Sequence, residues 1–125
     1  MLALPSCSEE PECVDVETAC EPLFEPTFDN VYDRTFSATC STGGTSCHGP
    51  QGGQGGLRFG DPDTAYERLM GTDGGPALVV PGDPSCSTLI VRIEGGGPGL
   101  MPPGQALGAT ERCAIRQWVE SGAER

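Results

Sequence analysis

Hydrophobic residues recur three or four positions apart in four separate stretches of this chain. This spacing places them on one face of an α-helix. The first stretch predicts a helix that ends near Ala38 and therefore leads directly to Cys40. The inner face of this helix is predicted to consist of Phe24, Phe28, Val31, Tyr32 and Thr35.

Two further stretches begin with the same local signal, an aspartate followed by a proline. Asp61 precedes Pro62, and Asp83 precedes Pro84. An aspartate can accept a hydrogen bond from the first turn of a helix, and proline is favoured at the first helical position. The first of these helices is predicted to end at Gly71. Their inner faces are predicted to consist of Ala65, Tyr66, Leu69 and Met70, and of Cys86, Leu89, Ile90 and Ile93.

The last helix is predicted to be capped by Thr110 and to end at Gly122. Residues 77–80 form a short extended apolar run that is too isolated to predict a sheet. The pattern as a whole therefore predicts an all-α domain of about four short helices joined by long loops rich in glycine and proline. The inner face of the last helix is predicted to consist of Cys113, Ile115, Trp118 and Val119.

Composition indicates that this domain needs covalent support. The chain has 125 residues, of which 19 are glycine and 12 proline, and only 6% are aromatic. Apolar burial alone offsets the ordering entropy of such a chain poorly. Seven cysteines could supply the support, and no closely spaced pair suggests a zinc ribbon. An oxidising compartment is therefore expected, with disulfides predicted between Cys13 and Cys20 and between Cys86 and Cys113.

The chain divides into an acidic leader, residues 1–23, and a domain, residues 24–125. Leu4 to Cys7 resemble the end of a bacterial lipoprotein signal, in which the cysteine carries the lipid. On this interpretation a longer precursor supplies the missing apolar stretch, and the protein lies in the periplasm or at the cell surface, held to the membrane only through Cys7. The alternative is an ordinary short leader in which Cys7 is a free thiol.

The net charge of −11 excludes non-specific nucleic-acid binding, because such a chain repels phosphate groups. A basic redox partner protein could be steered by this charge. The alternative is that the charge serves only solubility.

The candidate chemistry lies between the first two helices. Cys40 is followed by Cys47 and then His48, the sole histidine, with six residues between the two cysteines. Two thiols can each add across a porphyrin vinyl group, and a histidine next to the second can bind the iron. The usual attachment motif has only two intervening residues. The six residues are small and polar, so a disulfide between Cys40 and Cys47 is the open alternative, although it would leave His48 unexplained.

Met101 is the candidate for the opposite side of the iron. It lies in a stretch of glycine and proline without apolar periodicity, which favours a specific role such as axial ligation. The alternative is that Met101 packs at the edge of the core. A single histidine next to a cysteine gives no base for Ser-His-Asp hydrolysis, and no pair of carboxylates is distinguished by its surroundings. We therefore expect the protein not to be an enzyme.

These motifs occur in the order found in a known family. Val80–Ser87, the Met-Pro-Pro sequence of 101–103 and Ile115–Ala123 accompany the cysteine–histidine motif. Over residues 24–123 the chain resembles the cytochrome c-like haem-binding domains of secreted and lipid-anchored proteins from planctomycete- and myxobacterial-type bacteria.

The resemblance implies a small class I cytochrome c-like fold that binds haem c. Cys40 and Cys47 would hold the haem, His48 would be the proximal ligand and Met101 the distal ligand. A histidine–methionine pair raises the reduction potential, which suits an electron carrier. The first and last helices would cross, with Phe28 or Val31 near Trp118. The alternative function is that of a haem-free, disulfide-stabilised structural or interaction domain at the cell surface.

Overall fold

The computed structural model describes residues 13–40, 60–94 and 107–125, and of residues 38–40 only the backbone. In these ranges the chain is helical and contains no strand. The predicted small all-α fold, with four short helices and disulfides, is thereby confirmed. The helices are α1 (Phe28–Val31), which continues as a π-helical segment (Tyr32–Cys40), α2 (Pro62–Met70), a 3₁₀ turn (Pro84–Cys86), α3 (Thr88–Ile93) and α4 (Ala109–Glu120).

The first helix begins at Phe28, so Phe24, which was predicted to lie on its inner face, precedes it and is buried in the core from there. The winding of this helix also differs from the expected α-helix. Thr27 caps it, because its hydroxyl accepts a hydrogen bond from the backbone N–H of Asn30 at 3.3 Å. From Tyr32 the helix widens to π geometry, which is rare. The buried positions are Phe28, Val31, Tyr32, Thr35 and Phe36. These positions share one face in either winding, so hydrophobic spacing could not distinguish the two.

Helix α2 agrees with its sequence signals at both ends. The carboxylate of Asp61 accepts a hydrogen bond from the backbone N–H of Thr64 at 2.9 Å, and Pro62 is the first helical residue. Gly71 ends the helix with a φ of +76°. A Cβ at Gly71 would lie 2.9 Å from the backbone nitrogen of Ala77, so a side chain is excluded there by space as well as by φ.

The Asp61 cap predicts a specific pH dependence. Hydrogen bonds from Thr64 lower the pKa of Asp61 below its ordinary value of 3.8. A lowered folded-state pKa contributes stability at neutral pH, and this contribution is lost as the pH falls through the folded-state value. We expect wild-type protein to be more stable than Asp61→Asn at about pH 7, with the difference shrinking towards about pH 3. Urea unfolding at each pH measures it, with the exposed Asp15→Asn as control. A constant difference would contradict the expectation.

The helix predicted from Asp83 onwards is divided into the 3₁₀ turn and α3, so the prediction of one continuous helix was wrong. Asp83 does cap its start, accepting a hydrogen bond from the N–H of Cys86 at 3.3 Å. Ser87 then becomes extended. Its buried hydroxyl accepts a hydrogen bond from the N–H of Val80 at 2.8 Å and donates one to the carbonyl of Asp83 at 2.8 Å. These local bonds of the Ser87 side chain compete with helical hydrogen bonding and interrupt the helix.

Helix α4 begins one residue after Gly108, so the prediction that Thr110 caps it was wrong. The carbonyl of Gly108 accepts the N–H of Arg112 at 3.0 Å, which places Thr110 inside the first turn. The carbonyl of Thr110 instead accepts a hydrogen bond from the N–H of Leu23 at 2.9 Å. The predicted inner face of the helix is confirmed, since its four members are all buried: Cys113, Ile115, Trp118 and Val119.

An aromatic cluster joins the first and last helices at the centre of the core. The ring centroids of Phe28 and Trp118 are 5.5 Å apart, as the resemblance implied, and those of Phe28 and Tyr66 are 5.1 Å apart. The indole N–H of Trp118 donates to the carbonyl of Glu124, and the Tyr66 hydroxyl donates to the carbonyl of Ala123, both at 2.9 Å. The cluster therefore also fixes the chain that follows α4.

Both predicted disulfide pairings were wrong. The bonds join Cys13 to Cys86, across 73 positions, and Cys20 to Cys113, across 93 positions. The predicted bond between Cys13 and Cys20 requires a leader that is separate from the domain. Instead, its described residues, 13–23, lie against the helical domain.

Hydrogen bonds hold the described leader residues in this position. The backbone N–H of Val14 donates to the carbonyl of Ser85 at 2.9 Å. The side-chain amide of Gln117 donates to the carbonyls of Thr18, at 2.8 Å, and Cys20, at 2.9 Å. These contacts lie next to the two disulfides, so the leader is attached to the 3₁₀ turn and to α4 at separate points.

Candidate functional site

The residues predicted to hold a haem lie at or beyond the ends of the described helices. The π-helical segment ends at Cys40, whose backbone is described but whose side chain is not. Cys47, His48 and Met101 lie outside the described residues, as does Cys7. The structure therefore describes the helices that precede and follow the two segments containing the candidate ligands. Segment 41–59 follows Cys40, and segment 95–106 joins the end of α3 to the start of α4.

The helix that leads to Cys40 is fixed to α4. Thr35 is fully buried, and its hydroxyl donates to the carboxylate of Glu111 at 2.6 Å. Phe36, next to it, is also buried in the core. A short hydrogen bond between a buried hydroxyl and a carboxylate is stronger than one between neutral groups. The backbone that leads to Cys40 is thus anchored within one or two helical turns of that residue.

A cluster of three charged residues lies where segment 95–106 leaves α3. The Glu94 carboxylate accepts hydrogen bonds from Nη1 of Arg116 at 2.9 and 3.1 Å and from Nη1 of Arg112 at 3.3 Å. Arg112 and Arg116 are one helical turn apart on α4. Arg116 is buried. This cluster, Glu94–Arg112–Arg116, is called the arginine clasp below.

The arginine clasp also contacts the other end of the segment and the leader. Nε of Arg112 donates to the backbone carbonyl of Leu107 at 3.1 Å. Nη2 of Arg116 lies 3.7 Å from the sulfur of Cys20, which is bonded to Cys113. Sequence reasoning missed the clasp. Its one local signal was the spacing of the two arginines on the last helix, which does not identify a distant partner.

The disulfides restrict what the other cysteines can do. Four of the seven cysteines are bonded to one another in two pairs. Cys40 and Cys47 therefore cannot be partners of those four. Two thiols followed by a histidine are the donor set that covalent haem attachment requires. The described disulfides leave this donor set intact, so the residues of the chain fit the group that the sequence motif implies.

Tyr32, at the start of the π-helical segment, is buried next to α1. Burial, and then the nearby carboxylates of Asp61 and Asp33, raise the pKa of its hydroxyl above the ordinary value of 10.0. The phenol therefore stays protonated at neutral pH and can serve as a hydrogen-bond donor but not as a base.

Within residues 13–40, 60–94 and 107–125, no group of three or more histidine, cysteine, aspartate or glutamate residues is placed to hold a metal ion. His48 and Met101 are not among those residues. Over the same ranges, no helix combines the length and apolar character needed to cross a bilayer.

Part of the chain matches a known family. Residues 45–105 match the family model PSCyt1, described as Planctomycete cytochrome C. The match includes Cys47, His48 and Met101 together with α2 and α3, and it begins after Cys40. No curated protein and no solved structure matches the chain significantly. The resemblance seen in the sequence is thus supported over the segment that carries most of the candidate ligands.

Proposed function

We propose that this chain, whose residues 45–105 match the planctomycete cytochrome c family model, binds one haem c covalently and acts as an electron carrier. The family match over residues 45–105 is the observation that carries the proposal. The two disulfides support it, because they occupy four other cysteines and leave Cys40 and Cys47 for attachment.

Each candidate residue has a distinct role in this proposal. Cys40 and Cys47 would hold the haem through thioether bonds to its two vinyl groups. His48 and Met101 would be the ligands of its iron. When bound, the haem supplies a centre that accepts and releases one electron, and a methionine ligand favours a high reduction potential. The longer gap between the cysteines is accommodated by residues 41–46, which are all small.

The described frame suits a carrier that must change shape little between oxidation states. The helix before Cys40 is anchored by Thr35, and the ends of segment 95–106 are held by the arginine clasp. We also propose that the protein is not an enzyme and that it works in the periplasm or at the cell surface, held to the membrane by a lipid on Cys7. Its redox partner in this proposal is a basic protein. The charge of −11 supports the last point, since opposite charge accelerates encounter.

Covalent haem attachment is the expected result that tests the proposal. The protein is produced with export in a host that has haem-attachment machinery. We expect purified wild-type protein to be red and to keep its haem after denaturation and solvent extraction, because thioether bonds survive both. The double variant Cys40→Ala/Cys47→Ala should lose all covalently bound haem. Haem-stained denaturing gels and intact-mass measurement provide the readout.

Cys7→Ala is the matched control, because Cys7 also lies outside the two described disulfides. It should retain the haem. Colourless but folded wild-type protein would refute the proposal. A peptide map without reduction then identifies the reason, because a Cys40–Cys47 disulfide in that protein would establish the haem-free domain instead.

A further inference from the structure

Arg112 connects the two ends of the segment that contains Met101. Its Nε donates to the carbonyl of Leu107, the first described residue after the segment, at 3.1 Å. Its Nη1 donates to the carboxylate of Glu94, the last described residue before the segment, at 3.3 Å. One planar guanidinium therefore bridges both ends of the segment. The compact ammonium group of a lysine cannot make both hydrogen bonds in this geometry.

The surroundings keep this bridge in place. Arg116 donates to both oxygens of Glu94, at 2.9 and 3.1 Å, so the carboxylate is held from two sides. The side chains of Glu94 and Arg112 are largely buried, with 16% and 24% exposed. Cys113, between the two arginines on α4, is covalently bonded to Cys20. The bridge is thus built on a covalently fixed part of the helix.

The enclosed segment needs such a bridge for a physical reason. Five of its 12 residues are glycine, and glycine loses more backbone entropy on ordering than any other residue. When a side chain in such a segment binds a fixed partner, the entropy lost by the backbone reduces the net binding free energy. Fixing both ends at a constant separation removes part of that cost in advance.

We propose that Arg112, together with Glu94, is a positioning residue for Met101. By holding the ends of segment 95–106, it keeps the thioether of Met101 bonded to the haem iron. Arg112 acts through the segment and not by touching the iron. This inference rests on the proposed haem site and adds the residue that determines how firmly its distal ligand is held.

Carbon monoxide binding to the reduced protein tests the inference. Carbon monoxide needs an open iron site, so its apparent affinity rises with the fraction of haem from which Met101 has dissociated. We expect Arg112→Gln to raise this affinity about tenfold and to lower the reduction potential. Met101→Ala sets the upper limit of the effect. Arg112→Lys should fall between wild type and Arg112→Gln, and it provides the test if the glutamine variant does not fold.

Arg68→Gln is the matched control. Arg68 also joins a backbone carbonyl, that of Pro76 at 2.7 Å, to a carboxylate, that of Asp73 at 4.0 Å, but it does so on the loop after α2. It should leave carbon monoxide affinity unchanged. The inference is overturned if Arg68→Gln matches Arg112→Gln, because the effect would then be general destabilisation. It is equally overturned if both Arg112 variants bind carbon monoxide as wild type does.

Hydrogen exchange separates this inference from the proposed function. Peptides spanning residues 95–106 should exchange faster in Arg112→Gln than in wild type or Arg68→Gln, whether or not haem is present. Colourless wild-type protein would refute the haem proposal and Met101 ligation with it, while faster exchange would still support the bridge. Red protein in which exchange is unchanged by Arg112→Gln would refute the bridge alone.

Discussion

Replacing both Cys20 and Cys113 with alanine is expected to lower the free energy of unfolding by about 4 to 5 kcal/mol. The bond closes a loop of 93 positions, and a longer loop removes more entropy from the unfolded chain. Cys113 is buried, so replacing it with alanine also removes packing. Since small domains are stable by only about 5–15 kcal/mol, the variant should be close to unfolding. Urea denaturation followed by far-ultraviolet circular dichroism measures the change.

The second disulfide supplies the comparison. Cys13 and Cys86 close a loop of 73 positions, but both residues are exposed. Replacing them with alanine should therefore cost the chain-entropy contribution, about 4 kcal/mol, without a packing loss. The pair Cys20–Cys113 should be the more costly of the two. If neither double variant changes stability by more than about 1 kcal/mol, the described pairing does not exist in the folded protein.

Replacing Trp118 with alanine is expected to cost about 3–5 kcal/mol of unfolding free energy. Its side chain is 1% exposed, packs against Phe28 and donates its indole N–H to the carbonyl of Glu124. The substitution thus removes a large buried surface, opens a cavity at the crossing of α1 and α4, and leaves a carbonyl without its donor. Chemical denaturation followed by circular dichroism is the measurement, because Trp118 is the sole tryptophan and fluorescence is lost with it.

Two further variants show how much of this loss of stability comes from the buried ring of Trp118. Trp118→Phe keeps most of the ring volume and loses the hydrogen bond, so it should cost clearly less than alanine. Leu23→Ala removes a side chain that is 58% exposed and should stay within about 0.5 kcal/mol of wild type. A Trp118→Ala variant as stable as Leu23→Ala would show that the aromatic cluster does not organise the core.

The sequence alone determined those parts of the protein that depend on neighbours along the chain. The aspartate–proline start of α2 and its glycine end were predictable, because capping and positive φ are properties of a few consecutive residues. The buried faces of α2 and α4 followed from helical periodicity. The cysteine–histidine motif and Met101 were also visible as a donor set, although the structure does not describe their geometry.

Only the tertiary structure decided what depends on residues that are distant along the chain. The disulfide pairing and the bonding of Thr35 to Glu111 both involve partners brought together by folding. The arginine clasp is the clearest case. Two arginines at helical spacing predict a charged face, but their burial and their hydrogen bonds to Glu94 follow from the meeting of α3 with α4. A sequence pattern carries local preferences, whereas a contact between distant segments exists only once the core has fixed their separation.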